Sequence, residues 1–165
     1  MEEEAASLFA QAQDEPWPDL LGYDASGKAV DNARRNIEAA GLDKHVRVLR
    51  KDLGQLVRPT HKQLQPGLVV ANPPYGERLG DEASLVHLYR LFGEKLRTEF
   101  QGWKGAIFTG NPNLGKTMGL RATKQYRLFN GPIAAKLLLF DVEPRQFVHE
   151  RNASQNASTT SHGPP

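Results

Sequence analysis

The chain has 165 residues, a formal charge of +2 and no cysteine. That length suits one domain around one core, and the lack of cysteine removes disulfides, thiolate metal sites and cysteine nucleophiles together. The start Met1-Glu2-Glu3-Glu4 lacks the basic-then-apolar order of a signal peptide, and no apolar run reaches membrane-spanning length, so a cytoplasmic protein with no membrane partner is expected. The small net charge does not by itself require a nucleic-acid partner. Basic clusters do occur at Arg34-Arg35, Lys44-His45-Arg47, Arg50-Lys51, and Arg121, Lys124 and Arg127, although most such charges are solvated faces. His45, His61, His87, His149 and His162 show no metal-ligand spacing, so no metal is expected.

Leu20 to Asp24 reads as a short strand ending in an acid. Ser26 then caps a helix whose apolar positions Ala29, Val30, Ala33 and Ile37 share one face, with Gly41 as its stop. Val46 to Leu49 is the next strand, followed by Lys51-Asp52. Gly67 to Ala71 is short, apolar and β-branched in the middle, as expected of a fully buried parallel strand. Asp81 or Ser84 opens a long helix with Leu85, Leu88, Phe92, Leu96 and Phe100 on its buried stripe, and Gly105 to Thr109 is a further buried strand. The grammar then changes: Gln125 to Phe129 and Ile133 to Val142 are strand-like runs around Asn130-Gly131, the strongest short hairpin signal. Alternating strands and helices closed by a hairpin predict an α/β, Rossmann-like doubly wound sheet with an antiparallel edge.

Asn72-Pro73-Pro74-Tyr75 follows directly on the third strand, at the carboxyl edge where open α/β sheets bind ligands. An aryl amine of guanine or adenine is a poor nucleophile because its lone pair is delocalised into the ring. The Asn72 side-chain oxygen and the Pro73 carbonyl can each accept one N–H of that amine, localising and aiming the lone pair. Pro74 has no N–H to compete as a donor, and Tyr75 offers a flat face on which a base drawn from its helix can stack. Asn-Pro-Pro also serves as plain turn punctuation, but the tetrapeptide arises by chance in only roughly one chain in a thousand. The pattern points to methylation of a nucleobase nitrogen. Asp24, at a strand end, can accept both hydroxyls of a cofactor ribose, and Asp52 lies where an adenine edge would fall. Acids at such positions also act as caps and turn formers.

Gly22-Tyr23-Asp24, Lys51-Asp52, Asn72 to Gly80 as NPPYGERLG, and Lys124-Gln125-Tyr126 with Asn130-Gly131-Pro132 together resemble the bacterial 23S ribosomal RNA guanine-N2 methyltransferases, the L part of the K/L enzymes. The likeness runs over residues 20 to 145, and NPPYGERLG is its most specific element. It implies the class I S-adenosylmethionine-dependent methyltransferase sheet, a ribose-binding role for Asp24, and presentation of the guanine amine by Asn72, Pro73 and Tyr75. It also implies 23S rRNA or its precursor as partner, with RNA contacts at Tyr75 and Arg78; with the strand-end position of Asp52, the residues expected to bind the cofactor are Asp24, Asp52 and Asn72. Adenine N6 is the nearest chemical rival, and an inactive fragment that keeps only RNA contacts is a further alternative.

The chain departs from that pattern in lacking a first strand and Gly-rich loop ahead of Asp24. It therefore resembles a piece of a larger enzyme: a helical lead-in over 1–19, a partial methyltransferase domain over 20–149, and a disordered tail or interdomain linker over 150–165. An upstream THUMP and methylase part and a downstream second methyltransferase domain are implied for the parent, and the chain alone is expected to be inactive. A competing motif is Gly110-Asn111-Pro112-Asn113-Leu114-Gly115-Lys116-Thr117, which matches the phosphate-binding P-loop letter for letter. Such a match arises by chance in on the order of one chain in a hundred, and Gly119 weakens the helix a P-loop needs.

Overall fold

A computed structural model describes residues 17–60, 65–75 and 81–148, so Arg78, all but residues 17–19 of the expected lead-in 1–19, and the expected tail 150–165 lie outside the described residues. The chain forms two compact units, Met1–Leu56 and Val57–Pro165.

In the first unit, β1 (Leu20–Asp24) and β2 (Val46–Arg50) pair in parallel, with Leu20 opposite Val46 and Asp24 opposite Arg50. Helix α1 (Gly27–Ala39) connects them, as a parallel crossover requires. Ser26 caps α1 as expected, its hydroxyl accepting from the Ala29 N–H at 3.3 Å, and Gly41 closes the far end in the left-handed region at φ 68°. Val30 is buried, and Ala29, Ala33 and Ile37 are half-buried on the same stripe. The basic clusters here tie the unit together. Arg34 donates from Nε and Nη2 to the Val48 carbonyl at 3.2 and 3.1 Å, Arg50 donates to the Ala25 carbonyl at 3.0 Å, and the Lys51 ammonium stands 4.7 Å from the Tyr23 ring centroid.

The second unit is a four-stranded sheet in the order β3-β4-β6-β5, with β3 at Leu68–Ala71, β4 at Lys104–Thr109, β5 at Lys124–Asn130 and β6 at Ile133–Asp141. β3 and β4 are parallel; β6 runs antiparallel to both β4 and β5. Helix α2 (Glu82–Glu99) joins β3 to β4, and the short α3 (Pro112–Lys116) follows β4. Asp81, not Ser84, caps α2: its carboxylate accepts from the Ser84 N–H at 2.7 Å. Tyr89 and Leu96 of α2, Ile107 of β4, Met118, and Phe140 and Val142 around β6 are sealed from solvent. Each such side chain contributes about 1.5–3 kcal/mol by leaving water.

Two expectations change. β3 is not buried on both faces: Leu68 and Val70 are 56 % and 63 % exposed, because they project from the face opposite the one on which Leu96 of α2 meets Gly105 and Gly115 of α3 meets Ile107 and Leu138. The hairpin also turns one residue later than Asn-Gly implies. Asn130 is still a strand residue paired with Ile133, so the two turn residues are Gly131, at φ 59°, and Pro132. Glycine at the first central position is what a type II′ turn requires, and proline's fixed φ suits the second.

Candidate active site

The Asn-Pro-Pro-Tyr loop leaves the carboxyl end of β3. Asn72 is exposed, Pro73, Pro74 and Tyr75 are half-buried, and the Asn72 amide makes no hydrogen bond among the described residues. Its oxygen is therefore available to an incoming N–H. Tyr75 is held from several sides. Its hydroxyl accepts from Asn130 Nδ2 at 2.6 Å, and its Cδ2–Cε2 edge lies against Gly110, where a Cβ would stand 2.5 Å from Cε2 and 3.3 Å from Ile133 Cγ2. Gly110 is required at that point because any side chain would evict the ring.

The ground under Tyr75 is a buried hydroxyl network. The Tyr89 and Thr109 hydroxyls meet at 2.8 Å, and Thr109 Oγ1 accepts from the Asn111 N–H at 3.1 Å, fixing the chain on both sides of Gly110. Burial pushes the Tyr89 phenol above its ordinary range, with Tyr75 nearby adding to the rise and Thr109 opposing it.

In the first unit, Asp24 ends β1 and Asp52 lies just past the end of β2, on the carboxyl edge of that parallel pair. Asp24 Oδ1 accepts from the Ser26 N–H at 2.7 Å, which fixes the carboxylate at the strand end. Asp52 precedes the 3₁₀ turn Leu53–Gln55 without a side-chain capping bond. Both acids are exposed, and an oriented acid at a parallel strand end fits a ribose diol or an adenine amine.

The P-loop-like segment is used for packing. Its helix is five residues long, too short to present a row of amides to phosphate. Gly115 is buried against Leu138, whose Cδ1 would lie 2.6 Å from an added Cβ. Lys116 Nζ donates to Asn113 Oδ1 at 3.0 Å, and the Thr117 hydroxyl donates to the Leu114 carbonyl at 2.7 Å. Next to it lies an open depression of about 550 Å³ lined by Lys116, Lys124 and Lys136 with Asn113, Thr123 and Gln125. No group of acids and histidines suited to a metal is found among the described residues, nor a helix long and apolar enough to cross a membrane.

Residue type alone does not single out Asn130 or Gly110. The only signal for Asn130 is its place in Asn-Gly-Pro, which reads as turn chemistry; the signal for Gly110 is hidden inside the P-loop match.

The sequence is 52% identical over 134 residues to a protein of Cellvibrio japonicus (strain Ueda107) named ribosomal RNA large subunit methyltransferase K/L, covering 81% of this chain and 18% of that one. The chain thus spans about a fifth of the length of the curated relatives it matches. The crystal structure of SMU.472 in complex with SAH superposes with a TM-score of 0.67 at 29% identity, covering 81% of this chain and 32% of that one. The crystal structure of a protein described as a predicted N6-adenine-specific DNA methylase, from Listeria monocytogenes, gives 0.60 at 28% identity, covering 73% of this chain and 29% of that one. The fold is that of the class I S-adenosylmethionine-dependent methyltransferases, as the family resemblance implied. A family model described as the RMKL-like methyltransferase domain matches residues 3–138, from ahead of β1 into β6, and the chain belongs to that family.

Proposed function

We propose that this chain is the base-presenting portion of an enzyme that transfers a methyl group from S-adenosylmethionine to the exocyclic N2 of guanosine in 23S ribosomal RNA or its precursor. The observation that carries the reading is the Asn-Pro-Pro-Tyr loop at the carboxyl end of β3, with the Asn72 oxygen available beside an anchored Tyr75. The K/L name of the Cellvibrio relative supports ribosomal RNA as substrate, and SAH in SMU.472, the product such a transfer leaves, supports the cofactor. In the longer protein, residues 20–149 would serve as part of the methyltransferase domain, residues 1–19 as its helical lead-in and 150–165 as a linker, between an upstream THUMP and methylase part and a second methyltransferase domain. The cytoplasm is the compartment of that work.

The roles of the side chains follow from their chemistry. Asn72 Oδ1 and the Pro73 carbonyl accept the two N–H groups of the amine, which localises the lone pair on nitrogen and fixes its direction. Tyr75 stacks on the extruded base. Asp24 would accept the ribose hydroxyls and Asp52 the adenine amine of the cofactor, whose sulfonium supplies an electrophilic methyl group when bound. No strong base is needed, since the amine proton becomes acidic once nitrogen carries the methyl group. Arg78 and the lysines of the depression supply contacts to RNA phosphate.

Adenine N6 is the second reading, favoured by the adenine-specific description of the Listeria neighbour, because the same two acceptors suit either amine. Mass spectrometry of nucleosides from RNA treated with the full-length protein decides between them. N2-methylguanosine is expected; N6-methyladenosine in its place would overturn the assignment.

A further inference from the structure

We infer that Asn130 is a positioning residue for Tyr75, so that the tip of the β5–β6 hairpin forms one wall of the base pocket; the inference rests on the base-presenting role proposed above. A tyrosine on an open loop samples several rotamers, and ordering it when the base arrives takes free energy out of binding. Here the ordering is done in advance. Asn130 Nδ2 holds the hydroxyl at 2.6 Å, and Gly110 receives the ring edge where a Cβ would lie 2.5 Å away. Ile133, the cross-strand partner of Asn130, stands 3.3 Å from the same point.

The turn geometry makes this possible. Were Asn130 a central residue of a type I′ turn it would need positive φ, but among the described residues only glycines have it. Gly131 and Pro132 take the bend, and Asn130 stays in the strand. Directly opposite residues of an antiparallel pair project to one face, so Asn130 and Ile133 share the face on which Tyr75 lies, Asn130 through its bond to the hydroxyl and Ile133 beside Gly110, where the ring edge rests. With its hydroxyl and one edge engaged, the ring still has its flat faces for a base.

The test is a double-mutant cycle in the full-length protein, with steady-state kinetics on a ribosomal RNA fragment and thermal unfolding measured for every variant. Asn130→Ala is expected to lower kcat/KM for RNA about two- to tenfold, the effect of one ordinary hydrogen bond, with KM for S-adenosylmethionine unchanged. Tyr75→Phe should cost a similar factor, and Asn130→Ala should add nothing on top of it. Asn130→Asp, whose carboxylate accepts from the phenol, should restore most of the loss. Losses that multiply in the double variant, or an Asn130→Asp variant as impaired as Asn130→Ala, would overturn the role. If the unsubstituted protein methylates no RNA, the functional reading itself has failed. The same cycle read in unfolding temperatures then decides the pairing: non-additive shifts uphold it, and additive shifts refute it.

Discussion

Asn130, the last residue of β5, donates its side-chain amide to the hydroxyl of Tyr75 at 2.6 Å, across a sequence separation of 55 residues. The Asn-Pro-Pro-Tyr loop, proposed above to present the base, is thereby tied to the hairpin at the far side of the sheet, with the ring edge against Gly110 just past β4. Tyr75 is consequently oriented before any RNA arrives. Replacing it with alanine removes the stacking face, and RNA affinity should fall by about 1–3 kcal/mol, the usual value of one base on one aromatic ring. Direct titration with a ribosomal RNA fragment measures it, and an unchanged affinity would remove Tyr75 from base capture.

Asn72 makes the opposite kind of contribution. In the proposed reaction its oxygen would act when charge shifts on the amine, so Asn72→Ala should leave RNA binding nearly intact while reducing turnover by about 2.7–4 kcal/mol, comparable to the loss of one preorganised oxyanion-hole donor. Single-turnover kinetics at saturating RNA separates the two quantities. Normal turnover in Asn72→Ala would refute the amine-aligning role even if the substrate is right.

The P-loop match makes two predictions that point in different directions. Gly115→Ala places a methyl group 2.6 Å from Leu138 Cδ1 and 3.4 Å from Ile107 Cδ1, both in the sealed core, and should destabilise the chain by about 1–3 kcal/mol through overpacking. Lys116→Ala removes only an exposed contact to Asn113 and should leave stability almost unchanged. Chemical denaturation of both variants tests this. Calorimetric titration with magnesium and ATP should detect no binding that depends on Lys116, and tight binding lost in Lys116→Ala would reinstate the nucleotide-binding alternative.

What could be read in the sequence had a local cause. Ser26 and Asp81 cap their helices through bonds to N–H groups three residues on, and the apolar stripe from Leu85 to Phe100 is set by helical spacing alone. What could not be read depended on distant partners. The exposure of Leu68 and Val70 depends on which elements cover each face of β3, and no property of five apolar residues encodes that. Arg34 and Arg50 look like an RNA-binding charge cluster, yet their guanidinium groups serve the Val48 and Ala25 carbonyls. For Asn130 the local signal is present but points one residue off, since Asn-Gly and Gly-Pro both describe two-residue turns and only the proline's fixed φ separates them. At the site, the loop's residue types indicated chemistry, while Asn130, within an Asn-Gly-Pro run that reads as turn chemistry, gave no sign in sequence of its bond to Tyr75.

The Asp81 cap has a pH dependence of known sign. Its carboxyl is held below the ordinary value of 3.8, first by the Ser84 backbone N–H and next by the Ser84 side chain. A depressed folded-state pKa means that this stabilisation is complete above the unfolded value and is lost as pH falls through the folded one. Unfolding temperature should therefore drop on the acid side of about pH 4 in part through this group. Asp81→Asn keeps an acceptor for the Ser84 N–H without a titrating proton, so it should resemble the parent at neutral pH and lose that share of the acid sensitivity. Asp81→Ala should be less stable at neutral pH. Thermal unfolding across the acid range checks both; an Asp81→Asn variant with the parent's full acid profile would mean that the cap does not titrate as stated.

The lysines beside α3 supply the last expectation. Lys116, Lys124 and Lys136 line one depression, and Lys136 stands directly across the β5–β6 ladder from Arg127. Like charges directly opposite in a sheet repel, a cost that a bound polyanion reverses. Lys136 follows Ile133 by three residues in β6, an odd step that turns its side chain to the opposite face of the sheet from Ile133 and Asn130, so a nucleic-acid backbone seated in the depression would have to pass around the β5 edge to deliver a base to Tyr75. Lys124→Ala and Lys136→Ala should each weaken RNA binding to a similar degree whatever the sequence, and each should reduce the slope of log affinity against log salt by about 0.7–0.9 for a lost phosphate contact. Turnover at saturating RNA should stay close to that of the parent, because neither side chain meets the reacting amine. Binding isotherms at several salt concentrations measure the slope; an unchanged slope in both variants would show that the RNA backbone runs elsewhere.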